Sequence, residues 1–430
     1  MSFHVIPNTT IEYGLLAFDA DGRERTDDVT GGTFSRTLIE RIERDQPTNV
    51  FFFSHGWKGD SASAIDQYDR WIKAMVDSTD DSRRMGGAFK PFWIGLHWPS
   101  LPWGEESSGS FGVEDGPSVA TQIAETAAHF GGGEQVTAAV AEIYREYEND
   151  PGASEVPAGA ADAYAQLARA IGFSAKGSAT GAPDEEGEPL DPQAALDADN
   201  AAAQSFGITG NIGGGILSGL RQLSFWTMKK RARAVGEGGM HAFIDGVQRG
   251  SNAKVHLMGH SFGCIVVSGI VNGPQGAGGL SRPINSMALI QGAMSLWSYA
   301  DKVKDSSGPG YFQGVLTRKA VSGPIITTQS RFDTAVGVLY PAAVGLVREA
   351  DFANELPKYG AIGAFGIQGH TAAIARDMLA ADGDYGFTPG TITNLESSKF
   401  IAKGGGASGA HSDIDGPQVA HAMWQAALVS

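Results

Sequence analysis

The chain has 430 residues, 42% hydrophobic and 19% charged, with 48 acidic against 32 basic side chains and a formal net charge of −16. That composition is globular and supplies apolar surface for a large core with room for an insertion. The carboxylate excess repels phosphate backbones and disfavours anionic lipid surfaces, which argues against nucleic acid as a partner.

The opening residues, MSFHVIPNTTIEYGLLAFDA, hold no basic n-region, no continuous apolar run and no small-residue cleavage site. No secretory signal is read, and no stretch reaches the roughly 18 apolar residues of a membrane span. Residues 11–25 read as a strand that turns at Asp21-Gly22 into a partner strand. The D-x-D-G there lacks the closing acidic residue of a calcium loop. NVFFF (49–53) is a short continuous apolar run, the signature of a parallel strand buried on both faces. A helix is predicted over 61–78 and a further strand over 92–98.

A long insertion follows. Residues 118–147 and 159–172 are alanine-rich and helical in pattern, and 177–200 reads as an exposed, mobile acidic loop. The glycine-rich 206–226 segment suits either close helix packing or an apolar wall for an acyl chain. Helical spacing resumes over 226–250, where the basic run MKKRAR (228–233) reads as a solvated helix face. The domain reading is therefore 1–104 as the first part of a core, 105–225 as a helical insertion or lid, and 226–430 as the remainder.

AKVHLM (253–258) reads as a buried strand leading into GHSFG. A G-x-S-x-G alone says little in a chain with 59 glycines. Its setting adds weight: a strand before it, and a small-residue helix start after it, so that Ser261 sits on a tight turn. Gly259 and Gly263 then permit the close approach of strand and helix, and the Phe262 amide points where the Ser261 hydroxyl points. The loop after NVFFF reads SHGWKGD. Gly56 lets that backbone fold so that the Trp57 amide supplies a second oxyanion donor, with His55 either bracing the loop or filling the core. Cys264, the single cysteine, reads as a packing residue and rules out an intramolecular disulfide, which fits a reducing, cytoplasmic setting.

An activated serine needs a base and an acid that orients it. Further strands are predicted within 284–293, 323–330 and 398–402. Asp333 follows the second of these and is the favoured acid, with Asp301 as its rival. His411 ends a glycine-rich loop after the third and is the favoured base. A final helix opens near DGPQ, with Asp415 as N-cap and Pro417 in its first turn. His421 lies within that helix as a core histidine, and His370 lacks a preceding strand. No H-E-x-x-H, paired C-x-x-C or P-loop is present, so no metal and no cofactor are expected.

The combination FFFSHGW, VHLMGHSFG, TTQSRFD and GAHSDI resembles the α/β-hydrolase superfamily, in its lipase- and esterase-like branches, over residues 45–100 and 225–430. The resemblance implies an α/β fold with a mostly parallel sheet flanked by helices. It also implies Ser261 as nucleophile, His411 as general base, Asp333 as orienting acid, and Trp57 and Phe262 as oxyanion donors. The substrate it implies is a small-molecule ester, an acyl lipid among the candidates. An amide or peptide hydrolase on the same residues, and a non-catalytic binding protein on the same scaffold, are the alternatives. One departure stands out: many members carry a cap after the sixth strand, whereas here the largest insertion precedes the nucleophile strand. Oligomeric state is not legible in the sequence.

Overall fold

The computed structural model describes residues 2–26, 32–56, 61–100, 118–173, 182–185, 190–197, 215–306, 308–339, 356–404 and 408–430. The chain divides into two compact units: residues 1–100, 231–338 and 360–430 form one, and residues 101–230 and 339–359 the other. No described helix is long and apolar enough to cross a membrane.

The first unit is α/β. Its described strands are β1 (Ser2–Val5), β2 (Glu12–Ala17), β3 (Asn49–Ser54), β4 (Pro91–His97), β5 (Lys254–His260), β6 (Ser286–Ile290), β7 (Ile325–Gln329), β8 (Ala373–Asp377) and β9 (Ile392–Glu396). They form a nine-stranded sheet in the order β1-β2-β4-β3-β5-β6-β7-β9-β8. Only β1 runs antiparallel to its neighbour. NVFFFS is buried along its whole length, because helices cover both faces of a parallel sheet and leave no solvent side.

Glycines show how closely those helices lie. Gly14 of β2 and Ile94 of β4 are register partners and point the same way, so Gly95 points the other. A Cβ on Gly14 would lie 2.5 Å from the Leu38 side chain of α1 (Phe34–Asp45), and one on Gly95 2.7 Å from the Tyr68 ring of α2 (Ser61–Asp77). Thus α1 and α2 cover opposite faces. The further described helices are α3 (Thr79–Arg84), α4 (Val119–His129), α5 (Glu134–Asn149), α6 (Ala158–Ala170), α7 (Ser218–Val235), α8 (His241–Gly250), α9 (Gly263–Asn272), α10 (Gln313–Thr317), α11 (Ile362–Phe365) and α12 (Pro417–Leu428). On the α2 face, α12 buries Trp424, whose Nε1 donates to Met75 O at 2.8 Å and whose ring meets Phe51 edge-on. The second unit packs α4, α5 and α6 around Val140, Ile143, Tyr164 and Leu167, with Tyr164 Oη donating to Ile216 O at 2.7 Å.

Several expectations need correction. The Asp21-Gly22 turn leads only to an isolated bridge, Phe18–Glu24, and the strand partners of β2 are β1 and β4. The helical stretch 118–147 breaks between α4 and α5 at three glycines of positive φ, Gly131 to Gly133. The last buried strand is 392–396, not 398–402, which forms a turn closed by Ile401 N donating to Ser397 O. Thr393 and Asn394 hid β9 from an apolar-run reading, yet both are buried; Asn394 bonds Thr327 Oγ1 and both backbone groups of Ile367. The mostly exposed edge strand β8 was also missed.

The basic run 228–233 is a solvated face only in part: Lys230 is exposed. Lys229 and Arg233 are buried; Lys229 Nζ pairs with Glu185 at 3.2 Å, and the Arg233 guanidinium lies 5.3 Å from the Tyr311 ring centre. Glu185 belongs to the acidic segment 177–200, so the described part of that segment is not wholly exposed, and the rest of it lies outside the described residues, as does 206–214. The N-cap of α12 is Gly416, and the Asp415 carboxylate instead pairs with Arg70 Nε at 2.6 Å.

His256 of β5 gives the core a pH dependence. The Asn49 amide nitrogen can only donate, so it fills Nε2 at 2.9 Å, leaving Nδ1–H to donate to Ser286 Oγ at 2.8 Å. Burial pushes this imidazole down to about 3. The unfolded chain takes up the proton near pH 6.5, which the folded chain refuses, so stability falls as pH drops from 6.5 towards 3. The loss at pH 5 is about 2 kcal/mol. Urea unfolding at pH 7 and pH 5 checks it: His256→Gln is expected to lose less stability between the two than the parent.

Candidate active site

Strand β5 ends at His260, and Phe262 caps the N-terminus of α9. Ser261 between them has φ +56°, a left-handed conformation that costs a side-chain-bearing residue about 1–3 kcal/mol. Its amide donates to Ile290 O at 3.0 Å and its carbonyl accepts from Ala293 N at 3.1 Å, so the end of β6 holds the turn in place.

The glycines around it are matters of space. A Cβ on Gly259 would strike the carbonyl group of Gly263. One on Gly263 would strike Ser54 O and come within 2.6 Å of His55 O, and one on Gly56 would run into Ser261 Cβ. The ends of β3 and β5 and the start of α9 therefore converge on one spot, and backbone, which cannot swing aside, sets the limit. Gly263→Ala is expected to cost about 3 kcal/mol or more in urea unfolding. Gly87→Ala, where a Cβ meets nothing within 4 Å, should stay within about 0.5 kcal/mol of the parent.

Ser261 Oγ lies 2.9 Å from His411 Nε2, and His411 Nδ1 lies 2.7 Å from Asp333 Oδ2. A carboxylate accepts, so Nδ1–H donates to it, and Nε2 is left to accept the serine proton. Ser261 is buried, the Asp333 side chain is 0% exposed, and His411 keeps 12% of its side chain open. Asp333 follows β7, and its Oδ1 accepts from Val336 N at 3.2 Å. The loop carrying His411 follows β9 and lies against the Asp333 loop: Ala410 N donates to Phe332 O at 2.8 Å. Gly409, at φ +54°, lets the two backbones touch; a Cβ there would meet Phe332 O and sit 2.8 Å from Thr334 Oγ1.

His55 is buried and bonded to backbone. Its Nδ1–H donates to Gly56 O at 2.9 Å, its Nε2 accepts from Trp98 N at 3.4 Å, and its ring stacks on Trp98. Phe262 is buried at the head of α9. Trp57 lies outside the described residues.

The rival candidates lie elsewhere. Asp301 is half-exposed and faces His370 Nε2 at 3.6 Å, without reaching Ser261 or His411. His421 is buried between Asp81 Oδ2 at 2.7 Å and Gly383 O at 2.6 Å. Cys264 is buried with its thiol pushed well up by desolvation, and its Sγ donates to Gly259 O at 3.2 Å. Among the described residues no three His, Cys, Asp or Glu side chains are grouped to hold a metal ion.

Two neighbours were not singled out from the sequence. His260, the second residue of GHSFG, donates from Nε2 to His411 O at 2.9 Å and accepts at Nδ1 from Gln67 Nε2 at 3.3 Å. It thereby fixes the backbone of the loop that carries His411. Gln291 donates from Nε2 to Asp333 Oδ2 at 2.7 Å. Neither residue bears a local signal, because their partners are distant in the chain.

No family model, no curated protein and no solved structure matches the chain.

Proposed function

We propose that this protein is a serine hydrolase of the α/β-hydrolase type that cleaves carboxyl esters through an acyl-enzyme. One observation carries the reading: the unbroken line of hydrogen bonds from Ser261 Oγ through His411 to Asp333, with the serine on a strained turn between strand and helix. The chain order serine, aspartate, histidine, each after a strand of one mostly parallel sheet, supports the α/β-hydrolase assignment.

In this reading Ser261 Oγ attacks the acyl carbonyl while His411 Nε2 takes its proton. Asp333 holds the ring in the required tautomer and stabilises the imidazolium. The tetrahedral oxyanion forms near the N-terminus of α9, where the Phe262 amide and the positive end of the helix dipole favour negative charge; Trp57 is proposed as the second donor. The carbon–oxygen bond to the leaving alcohol then breaks, and His411 returns the proton to that oxygen. Water, deprotonated by His411, attacks the acyl-enzyme and releases the acid and Ser261.

Turnover of p-nitrophenyl esters from acetate to palmitate, beside the matched anilides, tests the reading. Esters are expected to be cleaved in preference to anilides, with the best chain length reporting the acyl pocket. Preference for anilides would reassign the protein to amide substrates, and turnover unchanged by Ser261→Ala would remove the serine mechanism.

A further inference from the structure

Seven non-glycine residues among those described have positive φ. Five of them, Asn8, Gln46, Gln275, Asp305 and Lys319, are exposed. The other two are buried, and both close central strands: Ser261 ends β5 and Gln291, at φ +45°, ends β6. These strands are neighbours, with His260 and Ile290 in register.

Gln291 is an expensive choice at its position. A glycine there would relieve the left-handed backbone, a polar side chain is completely buried, and its Oε1 has no hydrogen-bond partner among the described residues. Local stability does not explain it. Its Nε2 does: that atom donates to Asp333 Oδ2 at 2.7 Å, the same oxygen that accepts from His411 Nδ1 at 2.7 Å. The Gln291 backbone is in turn held by Thr328 Oγ1, which accepts from its amide at 2.9 Å.

We propose that Gln291 is a positioning residue for the serine-hydrolase reaction, on which this inference rests. Rotation of an aspartate about its last bond is a soft motion. Val336 N grips Oδ1 and Gln291 Nε2 grips Oδ2, so the Asp333 carboxylate cannot turn, and Oδ2 stays in line with His411 Nδ1. The strain at residue 291 brings that donor into reach from the end of the neighbouring strand.

The test is Gln291→Met, which keeps an unbranched side chain of similar volume but removes both the donor and the unpartnered oxygen. On p-nitrophenyl acetate kcat is expected to fall about 10- to 100-fold with KM unchanged. The urea midpoint is expected to stay level, a split that a merely structural role would not produce. Gln291→Leu, which also lacks the donor and adds no charge, is expected to lose kcat to a similar degree, and gives the same reading should the methionine variant not fold. Wild-type kcat in either variant, or loss of kcat in step with the urea midpoint, would overturn the proposal while leaving the serine mechanism standing. Absence of Ser261-dependent turnover in the unaltered protein would remove both.

Discussion

Ser261→Ala is expected to reduce ester turnover on the order of a million-fold, with the fold intact. Removing Oγ leaves nothing for an acyl carbonyl to bond to, and only binding and oxyanion stabilisation persist. In energy this is about 8 kcal/mol of lost transition-state stabilisation. The substitution is mild for the structure. Alanine also carries a Cβ, so the backbone at φ +56° is no more strained than before, and the backbone bonds to Ile290 and Ala293 stay. If serine and histidine act as one unit, as proposed, adding His411→Ala to Ser261→Ala should cost almost nothing further. Values of kcat/KM for the two single variants and the double variant, with a melting curve for each, check the prediction.

Asp333→Asn is expected to lower kcat by about ten-thousand-fold. Donors face both carboxylate oxygens: Val336 N meets Oδ1, while Gln291 Nε2 and His411 Nδ1 both meet Oδ2. An asparagine must turn its NH2 group against one side. Turned towards His411, it forces Nδ1 to accept and moves the ring proton to Nε2, where it blocks the transfer from Ser261. Turned towards Val336, it sets donor against donor and strains the loop after β7. Stopped-flow turnover and a melting curve separate the two effects: the loss of rate should far exceed what the loss of stability explains.

The parts of this molecule legible in its sequence are those whose cause is local. NVFFF reads as a strand because burial on both faces leaves a continuous apolar run, and AKVHLM because Val255, Leu257 and Met258 keep that apolar character around His256. GHSFG read as a turn because it joins an apolar strand run to a small-residue helix start, with Gly259 answering to the Gly263 carbonyl four residues on, and Asp333 and His411 could be placed because each lies soon after a strand or a strand-like run. What escaped depends on distant partners. β9 tolerates Asn394 because Thr327 and Ile367 satisfy it. Lys229 is buried because Glu185, 44 positions earlier, neutralises it. Asp415 turns from capping a helix to pairing with Arg70 of α2. Gln291 and His260 look ordinary in sequence and take on a role only when folding brings Asp333 and Gln67 to them.

The chemical claim beneath all of this is that the Ser261 hydroxyl is activated in the folded protein. Reaction with a fluorophosphonate, followed by intact mass and peptide mapping, measures that directly. The account predicts one adduct per chain, located on Ser261, formed in the native protein and absent both from Ser261→Ala and from urea-unfolded protein. A native protein that takes up no adduct at residue 261, or an adduct that survives Ser261→Ala, would contradict it.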